Sequence, residues 1–356
     1  MIRVLHIFYN MGNGGIENFV MNYYRNIDRS QVQFDFLVSV SEKGYFDDVI
    51  QTLGGIVHHA YPLKKNPIKN YKSIAAIIRD NHYQIVHRHT GSAFGYYELH
   101  AAKKGGAQHL ILHAHNPDAG KKWLHYFCKV FLSLKCERLA CSKTAGEFLF
   151  GKNKFDVIPN AINCEKYRFD DNERIKMRKE LGVENQLVIG HIGRFEYQKN
   201  HQKLLSIFSE VLKINPNAAL ICVGDGYLKA GIIEDAKEKG ILQNIHFLGV
   251  RNDVEKIIQA FDLFCLPSHY EGFGIVLIET QVNGLSCLVS ADAIPQATNL
   301  SGNVYFKELN DSDEEWANEL LALSTERDIT AIDIIQAKGF DIITASSKLE
   351  NYYISL

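Results

Sequence analysis

The side chains most able to do chemistry are two glutamates in the stretch SHYEGFGIVLIETQVNG. Glu271 follows an apolar, strand-like run, and Glu279 lies eight residues on, inside the next apolar segment. Were that stretch helical throughout, eight residues would rise roughly 12 Å and turn through about 800°, bringing both carboxylates within about 80° of one side. That separation is close to the span from a ribose to a sugar ring across a diphosphate, and a carboxylate can accept paired bonds from vicinal hydroxyls. The intervening Gly272, Phe273 and Gly274 would let backbone amides at a helix N-terminus approach an anion closely. Spacing alone favours a plainer reading, with one glutamate capping a helix and the other on its polar face.

The stretch GHIGRFEYQKNHQKLL carries a complementary charge. A strand ends there in Gly193-Arg194, and Lys199 stands at the start of the next helix. A diphosphate leaving group gains negative charge as its bond breaks, so fixed cations aimed at it stabilise the transition state more than the ground state. The alternative is two solvated surface cations. Two glycine loops also follow strands and precede helices: Gly12-Asn13-Gly14-Gly15, and Gly224-Asp225-Gly226. Neither completes GxGxxG, because Glu17 and Lys229 occupy the last glycine's place, and no GxxxxGK[ST] occurs. Both loops suit a phosphate or nucleotide lying against backbone.

His87 with His89, and His113 with His115, are each two apart and so share a strand face. Strand-end histidines facing a cleft are a better reading than a metal site, which would need carboxylate partners that the spacing does not supply. Asp311-Ser312-Asp313 runs straight into DEEWANELL, so it reads as a helix cap rather than a metal-diphosphate triplet. In KKWLHYFCKVFLSLKCERL, Trp123, Phe127, Val130 and Leu134 form a stripe flanked by Lys121, Lys122, Lys129 and Lys135. That segment is either a half-buried domain helix or a helix lying on an anionic membrane surface.

The elements that would position these groups follow from apolar periodicity. Short β-branched runs alternate with helix-length segments from RVLHIFYN to RLACS, and the rhythm restarts at LVIGHIGR, which predicts parallel α/β structure twice over. With 356 residues the chain suits two domains rather than one core. The junctions are expected near 165/166 and 338/339, leaving a helix over 339–356 with Ile342, Ser346, Leu349 and Tyr353 on one face. Two such sheets facing one another would make a cleft lined by strand-end loops. At 46% hydrophobic and 22% charged residues, wholesale disorder is excluded. The seven cysteines form no CxxC pair and read as buried small hydrophobes in a reducing compartment, and no apolar run suggests a membrane span, so a cytoplasmic location is expected. Residues 1–165 hold 20 Lys and Arg against 13 Asp and Glu, and the remainder 19 against 28. This basic first half suits an anionic membrane or substrate, and its excess is too dispersed to suggest nucleic acid.

Taken in order, the GNGGIE loop, the histidine of LHAHN, LACS, IPNAIN, GRFEYQKN, VGDG, FLGV and EGFGIVLIE resemble the retaining glycosyltransferases of family 4, which have the GT-B architecture. That resemblance implies that Glu279 binds the ribose hydroxyls and Glu271 those of the transferred sugar. It implies that Arg194 and Lys199 hold the diphosphate, helped by the amides of Gly14-Gly15 and of Phe273 to Ile275. It places His115 beside the donor sugar, and it implies a nucleotide-diphosphate sugar as co-substrate with no bound metal or other cofactor. Ala161, where the family's linker has glycine, and Ile16 in the first loop depart from the pattern. FVMNYYRNID and VQFDFLV are similar to enzymes of capsular polysaccharide or exopolysaccharide synthesis, which implies a glycan or lipid-linked saccharide acceptor and peripheral contact with the membrane. Rival expectations are a nucleotide-sugar epimerase and a non-catalytic sugar-nucleotide sensor.

Overall fold

The computed structural model describes residues 1–116, 122–130, 134–271 and 274–356, apart from the side chains at 122, 124, 127 and 130. The chain forms two compact units, residues 1–161 with 342–356, and residues 162–341. The junctions expected at 165/166 and 338/339 both fall inside the second unit, the first within the helix Cys164–Tyr167.

The first unit is built on seven strands: β1 Ile2–Phe8, β2 Val32–Val38, β3 Val57–His59, β4 Ile85–Thr90, β5 His109–Ala114, β6 Glu137–Ala140 and β7 Asp156–Val157. They lie in the order β3-β2-β1-β4-β5-β6-β7, every pair parallel. Parallel neighbours need long crossovers, so helices cover both faces and the strands are apolar on both. Along β1, Val4 and Phe8 join one core while Leu5 and Ile7 join the other. The helices Gly15–Asn26 and Ile342–Ile354 cover the first face, and Pro67–Asp80 with Gly95–Gly105 the second. The C-terminal helix buries Ile342, Ala345, Ser346, Leu349 and Tyr353 in one stripe. Each large apolar side chain so buried contributes about 1.5–3 kcal/mol.

The second unit repeats the plan with β8 Leu187–Ile192, β9 Ala218–Val223, β10 Ile245–Gly249, β11 Leu263–Leu266, β12 Ser286–Ser290 and β13 Val304–Lys307, in the order β10-β9-β8-β11-β12-β13. All of its pairs are parallel. Along β9, Ala218, Leu220 and Cys222 enter one core and Ala219, Ile221 and Val223 the other. Gly190 of β8 leaves room for Phe261, whose ring would lie 2.1 Å from a Cβ there. In each sheet the strand order reverses once, between β1 and β4 and between β8 and β11. Ligands of open α/β sheets bind beyond the carboxyl ends of the strands at such points. Among the described residues, no helix is long and apolar enough to cross a membrane.

Candidate functional site

In the second unit the loops after β8 and β11, the two strands at the reversal, meet in a buried ion pair. Lys199 Nζ lies 2.5 Å from Glu271 Oε1, with 14% and 6% of the two side chains exposed. Lys199 ends a short 3-10 turn, Tyr197–Lys199, and Asn200 with φ +52° then caps the helix His201–Ile214. Ser268 donates its hydroxyl to Glu271 Oε1 at 2.8 Å, and Ser290 donates to the Ser268 carbonyl at 2.6 Å. The loops are also tied by backbone: His269 N donates to Gln198 O at 2.8 Å, and Gln198 Nε2 donates to Tyr270 O at 3.0 Å. A buried ion pair is costly to desolvate and stands only where further hydrogen bonds complete it. Here the ammonium and the carboxylate each keep capacity for a ligand, one for an anion and the other for a hydroxyl. Spacing did not single out Ser268 or Gln198.

Glu279 sits within the helix Ile275–Val282 and accepts a hydrogen bond from the Tyr167 hydroxyl at 2.8 Å. Burial raises its carboxyl above the ordinary range, which the Tyr167 bond and Lys166 partly offset. The helical geometry expected between Glu271 and Glu279 needs correction. The helix begins only after Gly274, whose φ of +69° makes it a left-handed N-cap, so Glu271 lies in the preceding loop and the per-residue rise of a helix does not reach it. Ile275 and Val276, the first helical residues, have amides without intrahelical acceptors. Gly272 and Phe273 lie outside the described residues.

The glycines of this unit answer to their own chain. Gly224 has φ +135°, and a Cβ on it would lie 2.1 Å from the Gly193 carbonyl oxygen. A Cβ on Gly193 would press the Lys199 stem at 2.9 Å. These two residues let the ends of β8 and β9 close on each other and let Lys199 cross them. Asp225 Oδ1 accepts from Gly226 N at 2.8 Å. Arg194, expected with Lys199 to hold the diphosphate, has a side chain 73% exposed and pairs with Glu196 at 3.0 Å. Asp311 to Asp313 begin a helix through a complete capping box between Ser312 and Glu315.

In the first unit Gly14 caps the helix Gly15–Asn26 after β1, and nothing lies within 4 Å of a Cβ built on Gly15. The histidines differ from expectation. His89 and His113 are the second-last residues of β4 and β5 and His87 lies two residues before His89, but all three are buried, because helices cover β4 and β5 on both sides. His115, one residue past β5, keeps 9% exposure. Two triples, His6 with His87 and His89 and His89 with His113 and His115, hold ring nitrogens within 4.8 Å of one another. In the helix Lys122–Val130, Trp123 is 70% exposed and Lys129 donates to the Phe148 carbonyl at 2.7 Å. Lys121 and the side chains of Lys122, Phe127 and Val130 lie outside the described residues. A cavity of about 670 Å³ lies away from the strand ends, between Pro67–Asp80 and Gly95–Gly105, and is lined by Ile68, Tyr71, Lys72, Arg79, Tyr97 and Lys104.

Known proteins show the same plan. Residues 13–166 match the family described as Glycosyltransferase Family 4, and residues 173–337 that described as Glycosyl transferases group 1. A Bacillus subtilis protein named as a glycosyltransferase, EpsF, is 33% identical over 303 residues, covering 81% of this chain and 79% of its own. The Escherichia coli UDP-Gal:alpha-D-GlcNAc-diphosphoundecaprenol alpha-1,3-galactosyltransferase is 25% identical over 91% of this chain and 90% of its own. Among solved structures, Anabaena HepE in complex with UDP shares the fold with a TM-score of 0.80 at 18% identity, both chains being covered in full. With its two parallel sheets and this breadth of match, the chain belongs to the group 1, family 4 glycosyltransferases and has their GT-B fold.

Proposed function

We propose that this glycosyltransferase moves a hexose-type sugar, with retention of configuration, from a UDP-linked donor to a glycan or lipid-linked saccharide in surface polysaccharide synthesis. The observation that carries the reading is the Lys199–Glu271 pair at the reversal of the second sheet. The ammonium neutralises the departing diphosphate, and the carboxylate receives hydroxyls of the transferred sugar. Arg194, once it leaves its exposed pair with Glu196, and the amides at Gly14-Gly15 and Ile275 add to the diphosphate's field. Glu279 receives the ribose hydroxyls, and His115 meets the sugar. The sugar C1–O bond to phosphate breaks, the acceptor oxygen bonds C1 on the same face, and the acceptor proton passes to a phosphate oxygen. The reaction so written needs no metal. The galactosyltransferase relative, named for a diphosphoundecaprenol-linked sugar, supports a lipid-linked acceptor. Ile68, 70% exposed beside Lys72 and Lys104, supports peripheral contact with an anionic membrane.

The test is nucleotide release from a panel of nucleotide-sugars, with and without lipid-linked acceptor and with chelator, and the anomeric configuration of the product read by NMR. Lys199→Ala and Glu271→Ala should each lower turnover about a hundredfold or more. Parental rates in both, with thermal melting showing a folded chain, would remove these roles; an inverted product would remove retention.

A further inference from the structure

Five histidines share one face of the first sheet: His6 on β1, His87 and His89 on β4, His113 on β5, and His115 just beyond it. They are joined ring to ring in two chains. In the first, His6 Nδ1 meets His89 Nε2 at 2.9 Å, and His89 Nδ1 meets His115 Nε2 at 2.9 Å. In the second, the Tyr353 hydroxyl meets His87 Nδ1 at 2.6 Å, and His87 Nε2 meets His113 Nδ1 at 3.1 Å. Burial holds His6 and His115 down to about 3 and His89 well below its usual value, so each ring of the first chain is neutral near pH 7 and carries one proton.

A neutral chain of three imidazoles has three ring protons and two bonds between rings, so one proton must stand at an end. Placed on His6 Nε2, it would be sealed from water with no partner, in a ring packed at 4.1 Å on Phe34 and 5.7 Å on Phe36. A buried donor without a partner costs about 1–3 kcal/mol, and such orphaned N–H groups are rarer than orphaned acceptors. Placed at the other end it stands on His115 Nδ1, which is not among the sealed, partnerless atoms. The bonds then run in one direction: His6 Nδ1–H donates to His89, and His89 Nδ1–H donates to His115 Nε2.

We propose that His89, held in turn by His6, is a positioning residue that fixes His115 as its Nδ1–H tautomer, so that His115 offers a hydrogen-bond donor to an oxygen of the transferred sugar. The catalytic half of this inference rests on the proposed contact between His115 and the sugar; the tautomer does not. A donor fixed in this way is not a base at Nδ1, which agrees with the acceptor proton going to phosphate. A zinc ion in either histidine triple would take the lone pairs that these bonds use, which sets a second condition on the proposal.

The test is long-range proton–nitrogen NMR of the full chain labelled with 15N-histidine, the His115 signals being assigned by their loss in His115→Gln. Protonated Nδ1 and bare Nε2 on His115 are expected. Protonation at Nε2, a charged ring, or stoichiometric zinc in protein purified without a histidine tag would overturn the proposal. In kinetics, His89→Leu should lower kcat/KM about tenfold, while His89→Asn, which keeps an N–H near the place of Nδ1, recovers most of that loss. Equal kcat/KM in the two folded variants would overturn the positioning role. Parental turnover in His115→Ala would sink the sugar contact itself, and with it the catalytic half, whatever the tautomer.

Discussion

Glu279 depends on Tyr167 in a way that separates binding from chemistry. The phenol is the hydrogen-bond donor seen on this carboxylate among the described residues, in surroundings whose burial already favours the protonated acid. Tyr167→Phe removes that bond and pushes the carboxyl further up, leaving less carboxylate for the ribose hydroxyls proposed to bind there. The donor KM should then rise about tenfold with kcat little changed, because the ribose is remote from the reacting carbon. A fall in kcat at constant KM, measured with saturating acceptor, would refute the assignment. Charge type, glycine context and distance from apolar runs singled out Glu271, Glu279 and Lys199, but spacing alone favoured a plainer reading of the glutamates and left that of Lys199 open. The resemblance supplied their expected roles, and the structure brings Lys199 and Glu271 together. Ser268 had a local signal, the Ser-x-x-Glu spacing to Glu271, which resembles a capping box and was passed over. Tyr167 had none, for it lies 112 residues from its partner and no local pattern encodes that contact. The exposure of Arg194 and its pairing with Glu196 had no signal in the spacing, because spacing does not report rotamers.

At the scale of elements, the turns between strands and helices carry the strictest demands. Gly182 and Gly224 both have positive φ, +70° and +135°, yet only Gly224 also faces backbone, at 2.1 Å, where a Cβ would be. Gly182→Ala should therefore cost about 1–2 kcal/mol, the ordinary left-handed penalty. Gly224→Ala adds a collision with the Gly193 carbonyl that a side-chain rotation cannot relieve, so a loss of about 3 kcal/mol or more is expected. Denaturant unfolding of the two variants checks the order, and equal losses would mean that the β8 and β9 ends do not close as described. The strands themselves were readable because a parallel strand buried on both faces is a continuous apolar run, as in Ala218–Val223. Helix starts were less so. The stretch from Glu271 to Glu279 reads as one apolar helix, and the left-handed Gly274 that splits it is a backbone conformation that glycine permits without announcing.

At the scale of the molecule, seven of the eight histidines buried among the described residues are lowered far enough to tie stability to pH. His6 and His115 are held to about 3 and His201 to about 4, while His87, His89, His113 and His191 are lowered well below the usual value, all chiefly by burial. In the unfolded chain each titrates near 6.5. Between about 6.5 and 3–4 the unfolded chain therefore binds protons that the folded chain refuses, and stability falls as pH falls. Above 6.5 both states leave these rings neutral, and this contribution is level. Each fully discriminating histidine removes up to about 1.4 kcal/mol per pH unit. Five of the seven lie in the first unit and two, His191 and His201, in the second. Calorimetry from pH 8 to pH 5 should show melting temperatures level to about 6.5 and falling below it. If the units melt separately, the steeper fall belongs to the one that contains the five-histidine face. Replacing His6 with phenylalanine removes one of these protons from the balance and should make the acid-side slope shallower. A melting temperature unchanged between pH 7 and pH 5 would mean that these rings titrate in the folded protein as they do in the unfolded chain.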